Sequence, residues 1–90
     1  MASKVSAGQD ALTGSAQQLT ALRGFSAETA ILRNRSATNT MYLGNSSAVS
    51  PTTGFPIAPG EALSMDILNP GSLWVIGTAA DLLAWLVLSP

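Results

Sequence analysis

The stretch Ala58-Pro59-Gly60-Glu61-Ala62-Leu63-Ser64-Met65-Asp66-Ile67 decides the fold class. Its second half alternates strictly, Leu63, Met65 and Ile67 against Ala62, Ser64 and Asp66, and a period of two is the signature of a strand with one buried face. Its first half puts Pro and then Gly at the two central positions of a four-residue turn. A type II turn needs Pro's fixed φ at the first and positive φ at the second. A tight reversal leading into a half-buried strand predicts antiparallel sheet.

The same pattern extends in both directions. Upstream, Thr40 to Gly44 carries Met41 and Leu43 on one face with Thr40 and Tyr42 on the other, and Ala27 to Asn34 sets Ala30 and Leu32 against Thr29, Ile31 and Arg33. The run from Asn34 to Asn39 reads as the turn between them. Ser15 to Leu22 reads as a further short strand. Residues 1–14 are rich in Ala, Ser and Gly without apolar periodicity and read as a flexible arm, a candidate contact element. Downstream, Asn69-Pro70-Gly71 is a turn, Leu73 to Ile76 a strand, and Gly77 to Asp81 another turn. The closing run Leu82-Leu83-Ala84-Trp85-Leu86-Val87-Leu88 is compatible with a helix capped by Thr78 and Asp81. Its short length before Pro90 favours a strand apolar on both faces. About six short strands at regular spacing predict an all-β fold, a small antiparallel β-sandwich or barrel over residues 15–90 preceded by the arm.

Composition limits what such a domain does. Ninety residues make one domain that gains support from oligomerisation, since the chain has no cysteine for disulfides. With no histidine either, thiolate and imidazole metal ligands and every Cys- or His-based catalytic arrangement are excluded. The carboxylates Asp10, Glu28, Glu61, Asp66 and Asp81 are isolated in sequence, and Glu61 and Asp66 would point to opposite faces of a strand, a poor geometry for paired acid/base work. No enzyme activity, metal or cofactor is expected. Net charge is −1 with four basic residues, which leaves no basic footprint for nucleic acid. The stretch from Leu73 to Leu88 is too short and too interrupted to span a membrane, no secretory signal is expected, and synthesis in a cytoplasm is the expectation. Hydrophobic residues make up 47% of the chain and charged residues 10%, so much of the surface is expected to be covered by copies of itself or by a larger partner.

The loop before the quoted stretch is the candidate contact. Ser46, Ser47, Val49, Pro51 and Phe55, with Tyr42 on the preceding strand, are the expected partner-contacting residues. Gly54, Pro56, Pro59 and Gly60 are expected to define the turns, with Phe55 also anchoring the loop on the core. Trp74 and Trp85 fall in predicted strands and read as core residues before ligand platforms.

Three motifs occur in order here: T-x-Y-x-G at Thr40, Tyr42 and Gly44; G-F-P-x-x-P-G-E at Gly54, Phe55, Pro56, Pro59, Gly60 and Glu61; and I-G-T-A at Ile76 to Ala79. Over about residues 29–88 this order resembles a small β-rich domain of tailed-bacteriophage virion structural proteins. The resemblance implies a capsid decoration, or cement, protein or another head accessory. It implies a homotrimer bound to the major capsid protein on the capsid surface of the virion. The alternative is a head or tail fibre module that recognises host-surface glycan, which would need exposed aromatic side chains.

Overall fold

The computed structural model describes residues 4–19, 29–66 and 72–89. The expected Asn69-Pro70-Gly71 turn, residues 20–22 and 27–28 of two expected strands, and Ile67 lie outside them. Among the described residues there are eight strands: β1 (Lys4–Ala11), β2 (Gln17–Gln18), β3 (Thr29–Asn34), β4 (Met41–Gly44), β5 (Phe55–Ile57), β6 (Ala62–Met65), β7 (Trp74–Ile76) and β8 (Leu82–Ser89). They form two four-stranded sheets, β1-β8-β3-β6 and β2-β7-β4-β5, antiparallel at every pairing. The all-β sandwich read from the sequence is therefore the fold.

The strand order has a simple origin. β1 pairs with β8, β2 with β7, β3 with β6 and β4 with β5, as in one long hairpin, and the β3–β8 and β4–β7 pairings roll that hairpin into two layers. This is the jelly-roll topology, in which two Greek keys share one core. The core follows from alternation. Leu32, Met41, Leu43, Ile57, Val75, Leu83 and Val87 are buried between the layers, joined by Leu12 and Leu19 from the chain leaving β1 and β2.

Two elements differ from the sequence reading. The segment read as a flexible arm is mostly β1, an eight-residue edge strand in full register with β8 from Lys4↔Ser89 to Ala11↔Leu82. Its Ala, Ser and Gly content carries little strand propensity, and its register comes from the partner strand. The sequence reading places residues 55–57 in the loop, with Pro56 as a turn residue, whereas they form β5. It lies at the edge of its sheet, where proline is tolerated.

The Pro59-Gly60 turn is present as expected: Gly60 has φ +76° and Glu61 N–H donates to the Ala58 carbonyl at 2.9 Å. Thr78 to Asp81 makes a turn closed by Asp81 N–H on the Thr78 carbonyl at 3.1 Å, but there the positive φ, +72°, falls on Ala80. A buried polar hub ties the layers at one end. The Asn34 side-chain amide donates to the carbonyls of Asn39 (2.8 Å) and Ile57 (2.9 Å), and its oxygen accepts from Ser36 N–H at 2.8 Å.

Candidate interaction surface

The loop from Asn45 to Gly54 is a structured cap. Ser50 organises its tip: its carbonyl accepts from Thr53 N–H (3.1 Å) and Gly54 N–H (2.8 Å), and its hydroxyl lies 3.0 Å from those of Thr52 and Thr53. Such hydroxyl-to-backbone turns let a polar loop hold its own shape. The loop is fastened by Val49, which is 7% exposed and lies against Gly44 and Gly54. A Cβ on Gly54 would come within 2.6 Å of Tyr42 Cβ and 2.9 Å of Val49 Cγ2. Gly54 is thus required by close packing.

The expected contact residues divide accordingly. Ser46, Ser47 and Pro51 are exposed and Tyr42 is half-buried. Val49 is buried and is the anchor, so its assignment as a partner contact is corrected. Phe55, expected both to meet a partner and to anchor the loop, is 59% exposed and so is open to contact but is not the anchor. The reason is positional. β5 is an edge strand, and although Phe55 shares the face of Ile57, it lies at the strand's first position, beside Leu43 at the open end of the sandwich. There it borders a cleft of about 520 Å³ whose other apolar walls are Leu43, Leu63, Met65 and Leu73. An exposed phenyl ring beside an apolar cleft is suited to taking an apolar group from a partner.

A second apolar surface was only partly legible in the sequence. In the sheet containing β8, side chains at Leu83 and Val87 point to the core, so Leu82, Ala84, Leu86 and Leu88 form the outer face of that strand. Alongside them lie Val5 and Ala7 of β1 and Ile31 of β3. Val5 is 67% exposed. The outer face of an antiparallel sheet is ordinarily the polar one, so this reversal marks a contact surface.

The two tryptophans occupy different environments. Trp85 points inward and packs on the core, with Gly8 directly under its ring. Trp74 is half-buried on the outer face of the other sheet, level with Gly44 and Gln18. Among the described residues no group of three or more Asp, Glu, His or Cys side chains converges, and no helix is long and apolar enough to cross a membrane.

No protein-family model matches the sequence, and no curated protein matches it significantly. Solved structures resemble it in fold. The stem and receptor-binding domain of the spike protein P1 from bacteriophage PM2 matches with a TM-score of 0.63 and 15% identity, over 88% of this chain and 31% of that one. The chain therefore spans about a third of the spike structure. The coat protein of Tobacco streak virus (TM-score 0.47, 6% identity, 98% of this chain and 88% of that one) and dTDP-4-dehydrorhamnose 3,5-epimerase from Bacillus anthracis (0.47, 11%, 99% and 53%) are more distant. At these identities the likeness is one of fold.

Proposed function

We propose that the chain is a structural component of a bacteriophage virion, a decoration protein that binds the major capsid protein shell and stabilises it. The observation that carries the virion reading is the likeness of this jelly roll, over most of its length, to a domain of a phage spike. The motif order from Thr40 to Ala79 points the same way. The decoration role is supported by the character of the exposed groups. Phe55 and its apolar cleft suit contact with protein, and the self-bonded Ser46–Thr53 loop beside them presents a rigid polar rim. A buried apolar centre within a polar rim is the usual anatomy of a protein–protein contact.

Each copy would contribute modestly, since burying a phenyl ring contributes about 2 kcal/mol and association costs oppose it. Many copies on a repeating shell multiply the effect. The test is co-sedimentation of the purified protein with shells assembled without it. Binding of the native protein and loss of binding by Phe55→Ser are expected, and failure of the native protein to sediment with shells would refute the decoration role.

A second reading, host-surface recognition, is favoured by one observation: the spike structure with the similar fold includes a receptor-binding domain. On that reading Trp74, the tryptophan on an outer face, would stack on a sugar. Titration with host-surface glycan while following tryptophan fluorescence separates the two. A saturable change that Trp74→Phe abolishes would favour recognition, and no response would favour decoration.

A further inference from the structure

The outer face of the β1-β8-β3-β6 sheet has a directional charge pattern as well as apolar character. Its cross-strand rows follow from the register. One row contains Ala7, Leu86 and Ile31, with Ser64 beyond. The row on one side holds Ala84 and Arg33, and the row on the other holds Leu88 and Thr29. Asp66 belongs to this last row, because its Oδ1 accepts from Thr29 Oγ1 at 2.9 Å. The face therefore has a cationic end at Arg33 and an anionic end at Asp66, about 13 Å apart along the strands at 3.3 Å per residue. Arg35 adds to the cationic end, its Nη1 donating to Gln9 Oε1 at 2.8 Å. Arg33 is exposed and has no ion-pair partner among the described residues.

We propose that two copies of this chain pack these outer faces together about a two-fold axis that lies in the plane of the face along the Leu86–Ile31 row. That operation reverses the strand direction while keeping each strand opposite its own copy. Leu86 and Ile31 then meet their counterparts, Ala84 meets the larger Leu88 of the second copy, and each Arg33 meets the Thr29–Asp66 pair of the other. An isologous interface makes every off-axis contact twice, so the Arg33–Asp66 pairing occurs twice. The alternative axis, parallel to the strands, leaves Arg33 opposite the Gln9 side of the second copy and both Asp66 carboxylates unpaired. Sheets stacked this way cross at about 30° because of their twist, which the long Arg33 side chain can accommodate.

The area agrees with a weak dimer. Strands of eight, eight, six and four residues, about 4.8 Å apart and about 3.3 Å per residue, give a flat footprint of about 400 Å² per copy. That is about half of the roughly 800 Å² per partner of a standard stable complex, so the charge pairs at its two ends decide the geometry and the association is expected to be concentration-dependent. This inference does not depend on the virion reading, since the face lies on the opposite layer from the loop and from Trp74.

Analytical ultracentrifugation over a range of concentrations tests it. The native chain, 9.2 kDa as a monomer, should sediment as a reversible dimer. Arg33→Asp and Asp66→Arg should each weaken dimerisation about tenfold or more, and the double reversal should restore most of it. Leu86→Lys should yield a monomer whose circular dichroism is that of a folded β protein. A monomer at all concentrations, a trimer, or single reversals that leave the dimer unchanged would overturn the proposal. So would a double reversal that restores nothing.

Discussion

Gly8 lies beneath the indole of Trp85: a Cβ at position 8 would sit 2.5 Å from Trp85 Cζ2 and 2.9 Å from Cε2. The two are register partners across the β1–β8 pair, so the missing side chain on one strand makes the room the ring on the other occupies. This is what turns an Ala/Ser/Gly-rich segment into a strand with a defined register. Gly8→Ala should destabilise the fold by about 1 to 3 kcal/mol in urea titration, through overpacking. In a Trp85→Phe background, which removes the ring atoms nearest the new methyl, the same substitution should cost measurably less. Equal cost in both backgrounds would mean that β1 owes its register to something else.

Asn34 satisfies three backbone groups with one side chain, those of Ser36 and Ile57 in buried hydrogen bonds and that of Asn39 in a part-buried one. Asn34→Ala leaves those groups unpaired and should cost about 2 to 4 kcal/mol. Asn34→Asp places an acceptor-only carboxylate against two carbonyls, so its folded-state pKa is raised above its unfolded value. The stability of that variant should therefore fall as pH rises through and beyond the ordinary carboxylate range. Thermal unfolding at acid and neutral pH measures it, and a pH-independent loss would contradict the hydrogen-bond assignment.

Ala80 and Gly60 occupy the same left-handed backbone region with opposite suitability. Ala80→Gly should stabilise the protein by about 0.5 to 1 kcal/mol, because release of Cβ strain exceeds the added chain entropy. Gly60→Ala should cost about 1 kcal/mol through backbone strain alone, since a Cβ there meets nothing within 4 Å. Calorimetric melting temperatures should move in opposite directions by a few degrees.

Val49 and Phe55 separate anchoring from contact. Val49→Ala should cost about 1 to 2 kcal/mol and increase proteolytic cleavage within residues 45–54, whereas Phe55→Ser should leave stability within about 0.5 kcal/mol of the native chain. The reverse ranking in chemical denaturation would return Phe55 to the core.

The sequence makes the alternating strands legible, and the reason is local. Leu63 and Met65, Met41 and Leu43, and Ala30 and Leu32 all face inward as their period of two requires. The Pro59-Gly60 reversal is equally local, being fixed by the φ preferences of two adjacent residues. What escapes a reading of the chain depends on partners distant in sequence. β1 is specified by Trp85, some 77 residues away (85 − 8), and the edge position of β5 that tolerates Pro56 exists only once β4 has paired with β7. Val49 anchors the loop and Phe55 does not, because hydrophobicity alone does not tell an edge strand from a loop that folds back. The two-faced apolarity of β8 is visible in its composition, but its outer face becomes a surface only when alternation assigns Leu83 and Val87 to the core.

On the proposed function this jelly roll decorates a phage capsid, and cryo-electron microscopy of virions assembled from the genome encoding the chain shows whether it does. Sandwich-shaped density is expected on the outer shell, over junctions between major capsid subunits, with the 45–54 loop and Phe55 towards the shell. Density in the tail or in a fibre, or none on the shell, would contradict it.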